Sequence, residues 1–419
     1  MDYRPRVVDR LIEHALRVSG AILVEGPRAC GKTATGLHHA ESSVRLDIDD
    51  EARSLAELEP RLVLDGPVPR LIDEWQLEPR LWNHVRRAVD DRRDPGQFLL
   101  TSSASPSDDT TRHTGAGRIL RLRMRPMALR ESGHSSGTVS LAALADGEEL
   151  TPAASPLGLE DLVERLCVGG WPALQSLGAV DAQRILRSYL DAVARADIQA
   201  ADPAVARRDP TRVRRLLASY ARHVSTPAST ATIATDTSSG QGPALRSETV
   251  SAYIDALERI MVVEEQPSWG PHLRSRALVR QAPVRQVVDP SLAVAALAAS
   301  PPRLLRDPNS LGLLFESLVV RDVRVYAGPL DADVLHYRDS SGREVDLIVQ
   351  LRDGRWIAAE VKLSARWIDD AAESLQAFAR NLDSRRVPPP AAMVVITAAS
   401  HAYTRPDGVH VVPLACLGP

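Results

Sequence analysis

The chain has 419 residues, with 51 Lys+Arg against 54 Asp+Glu; its formal net charge of -3 excludes a surface coated in positive potential, so nucleic-acid contact must come from local arginine patches. Three widely spaced cysteines, Cys30, Cys167 and Cys416, exclude a disulfide framework and a zinc cluster and predict a reducing, cytoplasmic setting. Met1-Asp-Tyr-Arg-Pro-Arg lacks the apolar core of a signal peptide and the apolar stretch Leu292 to Ala299 is too short to span a bilayer, so no membrane partner is expected.

In the first ~130 residues, short apolar runs alternate with helical segments, the pattern of a parallel sheet covered by helices. Strands are expected over Ala21 to Glu25, Val44 to Ile48, Arg70 to Asp73, Gln97 to Thr101 and Arg118 to Met124, with a Ser-rich stretch, Ser132 to Gly137, closing the block. Leu159 to Leu166 and Ala182 to Ala196 have the periodicity of amphipathic helices, a helical lid. After the Ser/Thr-rich run Ser225 to Gly242 comes a helix from Ser247 to Glu258, with Ser247 as its cap, then a strand from Ile260 to Val263. That order is winged-helix-like; a small helical connector would have the same pattern. The last part predicts a helix at Leu311 to Arg324, strands at Glu344 to Gln350 and Trp356 to Lys362, a helix at Asp370 to Asn381, and strands at Met393 to Thr397 and Val409 to Leu414. The expected domains are 1–135, 136–205, 206–270 and 271–419.

All but two of the basic residues are arginine, and the two lysines, Lys32 and Lys362, both close chemically suggestive strings. Gly26-Pro27-Arg28-Ala29-Cys30-Gly31-Lys32-Thr33 follows an apolar strand and supplies what a P-loop needs: glycines that let backbone N–H groups wrap a phosphate, a lysine for the β and γ oxygens, and a hydroxyl for Mg²⁺. Leu71-Ile72-Asp73-Glu74 ends a strand 41 residues later as a Walker B motif would, Asp73 serving Mg²⁺ and Glu74 the attacking water. ATP and Mg²⁺ are the expected cofactors. Thr101 and Ser103 are candidate γ-phosphate sensors, although a Ser/Thr-rich strand exit reads the same way. Arg118 is a candidate arginine finger or sensor, and the alternating Arg121, Arg123 and Arg125 predict a solvated basic strand face.

Asp346 and Glu360-Val361-Lys362 have the spacing of a nuclease core in which two carboxylates bind a metal and a lysine serves the water beside the scissile phosphate. If Arg352-Asp353-Gly354 is a three-residue hairpin loop with Gly354 left-handed, residues whose numbers sum to 706 face each other. Asp346 then faces Glu360 and Glu344 faces Lys362, all on one side. A two-residue turn would shift the register and point Asp346 away. The ordinary alternative is a solvated hairpin face with cross-strand ion pairs.

Together with Gly169-Gly170-Trp171-Pro172, Asp289-Pro290, Gly312 to Glu316 and Arg125-Pro126 to Arg130-Glu131, these strings resemble the bacterial and archaeal AAA-type ATPases that carry a C-terminal domain of unknown function. Ser102 stands where that family often has glycine, and the Ser/Thr insert near Thr226 to Gly240 looks atypical. The resemblance implies an α/β P-loop AAA-like ATPase domain, a winged-helix-like middle and a C-terminal PD-(D/E)xK restriction-endonuclease-like lobe. It implies a second Mg²⁺ or Mn²⁺ on Asp346 and Glu360, with Glu316 resembling the acidic residue of the first helix of such nucleases. The expected partners are ATP/ADP, DNA or RNA, and further copies of the chain. The reading is an ATPase coupled to a nuclease-like lobe, with an ATP-dependent regulatory protein that binds without cleaving as the alternative.

Overall fold

The computed structural model of the chain describes residues 3–104, 115–198, 209–238, 246–271, 282–339 and 342–419. Strands β1 (Ala21–Glu25), β2 (Ser42–Arg45), β3 (Arg70–Asp73), β4 (Phe98–Ser102) and β5 (Ile119–Arg123) form a parallel sheet in the order β2-β3-β4-β1-β5. Central β1 and β4 are buried along their whole length, as strands covered on both faces must be. β2 stops at Arg45, short of Ile48, because the chain turns there: the Asp49 N–H donates to Arg45 O at 3.0 Å, and the Asp49 carboxylate caps the next helix by accepting from the Ala52 N–H at 2.9 Å.

The remaining strands are β6 (Val139–Ser140), β7 (Ala153–Ala154), β8 (Asp333–Arg338), β9 (Glu344–Gln350), β10 (Trp356–Lys362), β11 (Ala392–Thr397), β12 (His401–Thr404), β13 (His410–Pro413) and β14 (Leu417–Gly418). Seven of them form a mixed sheet in the order β7-β12-β13-β11-β10-β9-β8. The Ser-rich stretch expected to end the first block is instead a junction with this distant part of the chain. Ser135 Oγ donates to Leu417 O at 2.6 Å, β6 pairs in parallel with β14, and β7 pairs antiparallel with β12. Residues 139–154, assigned from sequence to the lid, therefore lend edge strands to the C-terminal lobe.

The helices expected to form a lid occupy Leu159–Val168 and Ala179–Ala192, and the second passes into one π-helical turn, Val193–Asp197. Helices Pro210–Arg222, Thr230–Ser238 and Ser247–Arg259 follow. The supposed Ser/Thr insert is thus helical over Thr230–Ser238. Its hydroxyls find local acceptors, Thr235 on Ala231 O at 3.0 Å and Thr237 on Ile233 O at 2.7 Å, while Ile233 and Ala234 are buried; residues 239–242 lie outside the described residues. Arg246, not Ser247, is the N-cap of the third helix. The expected strand at Ile260 to Val263 is reduced to two antiparallel bridges, Val263 with Val287 and Gln266 with Val284, after Met261 takes a positive φ of 57°.

One apolar core runs from Ala128 through the lid and middle helices to β9, β10 and β11, so these parts pack as a unit. The helix Pro308–Ala327 belongs to that core. The helix Ile368–Asn381 buries Ile368, Leu375 and Phe378 in a second cluster with Trp269, Trp356 and Ile348. The β9–β10 hairpin has the register that a three-residue loop dictates: Trp356 faces Gln350 and Ala359 faces Leu347, and Gly354 has φ +95°. Among the described residues, no helix is long and apolar enough to cross a membrane.

Candidate functional site

Parallel pairing of Glu25 with Ser102 and Ile72 with Leu100 brings the carboxyl ends of β1, β3 and β4 to one edge, where open α/β sheets bind ligands. The loop from Gly26 leads there into the helix Lys32–His39, with Ala29 at φ 62° and Gly31 at φ 106°. Gly26 has no room for a side chain, since a Cβ would lie 2.2 Å from Met124 O. Cys30 is buried and directs its thiol at Met124 O. Lys32 is 5% exposed and donates to Gly26 O at 3.0 Å and Pro27 O at 2.9 Å, so its ammonium lies inside the loop. Thr33 Oγ1 donates to Asp73 at 3.0 Å. A hydroxyl and a carboxylate in contact at the foot of a glycine loop fit a hydrated Mg²⁺ beside nucleotide phosphates.

The two hydroxyls left unresolved by sequence divide Asp73 and Glu74 between them. Thr101 Oγ1 donates to Asp73 Oδ1 at 2.5 Å and accepts from the Glu74 N–H at 3.1 Å. Ser103 Oγ lies 2.8 and 2.6 Å from the two carboxylate oxygens of Glu74 and donates to that group. Burial raises the pKa of Asp73, and the hydroxyls of Thr101 and Thr33 oppose that rise. Glu74 has positive φ (53°), which carries its carboxylate out of the strand direction.

Arg118 is not brought to this site. Its neighbour Ile119 pairs with Ala21 at the amino end of β1, the opposite edge from the loop, and its guanidinium binds Asp90 at 2.9 Å. Arg28 is exposed and forms an ion pair with Asp197, on the π-helical turn of the lid. The basic face of β5 is not simply solvated either. Arg121 lies over the Trp82 ring and pairs with Glu25, while Arg123 and Arg125 both reach Glu264, which Arg324 also approaches. Burial would raise the pKa of Glu264, but the charges of Arg125, Arg324 and Arg123 outweigh it and hold the carboxyl well below the usual range.

Residues 18–133 match the model of the AAA domain family. The chain carries an AAA-type ATPase domain. Beyond the AAA domain, residues 159–303 and 311–417 match two domains of unknown function, DUF8612 and DUF4143. The chain is similar to "Uncharacterized protein Rv2008c" of Mycobacterium tuberculosis and "Uncharacterized protein Mb2031c" of Mycobacterium bovis, each 24% identical over 410 residues, covering 96% of this chain and 82% of the relative.

A second polar group gathers at one end of the C-terminal sheet. Ladder pairing in the hairpin runs to Ala359 and Leu347, and beyond it the Asp346 carboxylate accepts from the Val361 N–H at 2.7 Å. Lys362 Nζ lies 2.6 Å from Glu360 and 3.7 Å from Asp346, bridging the two carboxylates. Burial and the Asp346 charge push the Glu360 carboxyl up to about 8. Half-buried Glu316, on the helix Pro308–Ala327, is raised well above its usual value by burial and by the Asp346 charge. Burial disfavours the Lys362 ammonium, yet Asp346 and Glu360 raise its pKa. Glu344 does not face Lys362; its exposed carboxylate pairs with Arg338 at 3.0 Å. Among the described residues, no three His, Cys, Asp or Glu side chains are grouped as a ready metal site.

Sequence reasoning missed Arg6, Asp197 and Glu264, and gave Glu131 no role. Their partners lie far away in sequence, so no local spacing marks them.

Proposed function

We propose that the protein is a Mg²⁺-dependent ATPase whose nucleotide state controls a PD-(D/E)xK-type lobe that cuts nucleic acid. The observation that carries the cleavage reading is the convergence of Asp346, Glu360 and Lys362 just beyond the hairpin ladder, with Glu316 close enough to feel their charge. Burial and the crowding of three carboxyl groups around one ammonium make Glu360 and Glu316 hold their protons, and a divalent cation bound by this donor set would take the place of those protons. Asp346 and Glu360 would hold it; once bound, such an ion supplies Lewis acidity toward a phosphodiester oxygen. Lys362, 30% exposed, orients water and holds its proton through the bond to Glu360. Arg338, Arg343 and Arg366 lie at the same end of the sheet, and the Arg366 guanidinium lies 4.9 Å from the ring of exposed Trp367, a combination suited to backbone charge and base stacking.

In the AAA domain, Lys32 and the loop N–H groups hold the phosphates, Thr33 and Asp73 hold Mg²⁺, and Glu74 orients the attacking water. The three middle helices and their bridged extension act as a winged-helix-like linker and do not read DNA, because the helix Ser247–Arg259 carries Glu248, Asp255 and Glu258 against a single arginine. Messages between the sites pass through Met124 to Glu131. One side of that segment touches the P-loop, and its other side meets the long helix, where the Leu129 N–H donates to Asp322 at 3.0 Å and the Arg130 N–H to Tyr326 Oη at 3.1 Å.

A second reading, an ATP-dependent regulator that binds a partner through a non-cleaving lobe, is favoured by the closure of Lys362 onto both carboxylates. Incubation of purified protein with single- and double-stranded DNA and RNA, with Mg²⁺ or Mn²⁺ and with ATP, ADP or no nucleotide, separates the two. Cutting that falls at least about 100-fold in a folded Lys362→Ala variant supports the nuclease. Normal ATP turnover without cutting in any nucleotide state sinks it. Glu74→Gln is expected to bind ATP and turn it over about 100-fold more slowly.

A further inference from the structure

Arg6 sits at the N-cap of the helix Val7–Val18, 7% exposed, with its guanidinium behind the phosphate loop. Its Nη1 donates to Cys30 O at 2.9 Å and its Nη2 to Arg125 O at 2.8 Å. Glu131 is its counter-ion, with Oε1 3.1 Å from Nε, and the same carboxylate accepts from the Val7 N–H at 2.7 Å and the Ala128 N–H at 2.8 Å. Both side chains are almost entirely enclosed, 4% and 3% exposed, so the pair is fixed in place. Nη1 would lie 3.3 Å from a Cβ at Gly31, so the guanidinium is packed against that glycine.

The consequence follows from peptide geometry. In a planar trans peptide, the carbonyl of one residue and the N–H of the next point in opposite directions. Holding the Cys30 carbonyl outward on Arg6 therefore turns the Gly31 N–H inward, toward the concave side of the loop where P-loop amides meet phosphate. Released, the same peptide could turn its carbonyl oxygen toward the anion and oppose binding. The guanidinium reaches two carbonyls and a carboxylate from three nitrogens fixed in one plane, a span that the single nitrogen of a lysine does not reproduce.

We propose that Arg6 is a positioning residue that presets the Cys30–Gly31 peptide for nucleotide phosphate, while touching neither nucleotide nor metal. This rests on Gly26 to Thr33 being the phosphate site. Its signature is a split between affinity and turnover, because Asp73 and Glu74 are supported independently by Thr101 and Ser103.

The test measures ATP and ADP affinity by calorimetry, with KM and kcat for ATP turnover, on full-length protein. The first variant is Arg6→Met/Glu131→Gln, which removes both charges so that neither is left buried alone. The expected result is an ATP Kd and KM raised about tenfold with kcat within about threefold, alongside a melting temperature lowered by the hydrogen bonds lost at Cys30, Arg125 and Ala128 or Val7. A folded double variant that binds ATP within about twofold of wild type overturns the inference, and so does a loss confined to kcat. If the double variant does not fold, Arg6→Lys decides: it keeps a cation opposite Glu131 but cannot hold both carbonyls, and is expected to weaken ATP about fivefold. ATP affinity within about twofold of wild type in folded Arg6→Lys then overturns the inference. Wild-type protein that binds no ATP would instead sink the phosphate-site reading itself.

Discussion

His336, a residue of β8, is buried where that strand bridges Ser268, and its Nε2 has no hydrogen-bond partner. Burial pushes its pKa down from 6.5 to about 4, so the folded state favours the neutral ring. An unfolded chain takes up this proton near pH 6.5, the folded one only near 4. The stability contribution is therefore complete above pH 6.5 and is lost as pH falls through that window, by about 3 kcal/mol in all. Urea unfolding of wild type and His336→Leu at pH 7 and at pH 4 should reveal it, with wild type losing more stability than the variant; parallel losses would count against it. Sequence carries no sign of this strain, because a histidine in a strand reads the same whether or not its second nitrogen finds a partner. Lys32, Thr33 and Asp73 were legible because their chemistry is concentrated in short strings. Arg6 and Glu131 were not, because their meaning depends on a fold that joins residues 125 positions apart.

At the scale of elements, the β9–β10 hairpin shows how far local geometry can be carried. One glycine sets the loop length, the loop sets the register, and the register sets which side chains share a side. Gly354 has open space around the position of a Cβ, so Gly354→Val suffers only from its φ of +95°. The expected cost is about 1–2 kcal/mol in unfolding free energy. A stability unchanged from wild type would mean that the loop adopts another conformation. The ladder stops at Leu347 and Ala359, short of Asp346 and Glu344, where β9 shifts its register against β8, a strand absent from the expected set. The helix Thr230–Ser238 escaped notice for a different reason: its threonines lower helix propensity, and burial of Ile233 and Ala234 against neighbouring helices overrides them.

Across the whole molecule, charged groups are concentrated where its parts meet. Asp289 accepts from the Gly170 N–H at 2.8 Å and from Arg321 at 2.8 Å, and Arg321 also binds Asp322 at 2.6 Å, all within 2% exposure. Asp322 in turn holds the Leu129 N–H, so Gly170, Asp289, the AAA domain and the long helix bearing Glu316 share one buried network. Amide hydrogen exchange with and without ATP is the measurement suited to it. ATP is expected to slow exchange in Met124 to Glu131 and in the helix Pro308–Ala327, and an effect confined to the P-loop would rule out transmission by this route. The pairing of β6 with β14 and of β7 with β12 also has a consequence in time. The five-stranded sheet has all its strands once residue 123 has emerged from the ribosome, but residues 139–154 wait for partners about 250 positions later, some 12–50 s of synthesis at ~5–20 residues per second. During that interval their apolar side chains, Leu141 and Leu144 among them, have no sheet to cover them, and nascent chains halted there should be the ones that chaperones hold.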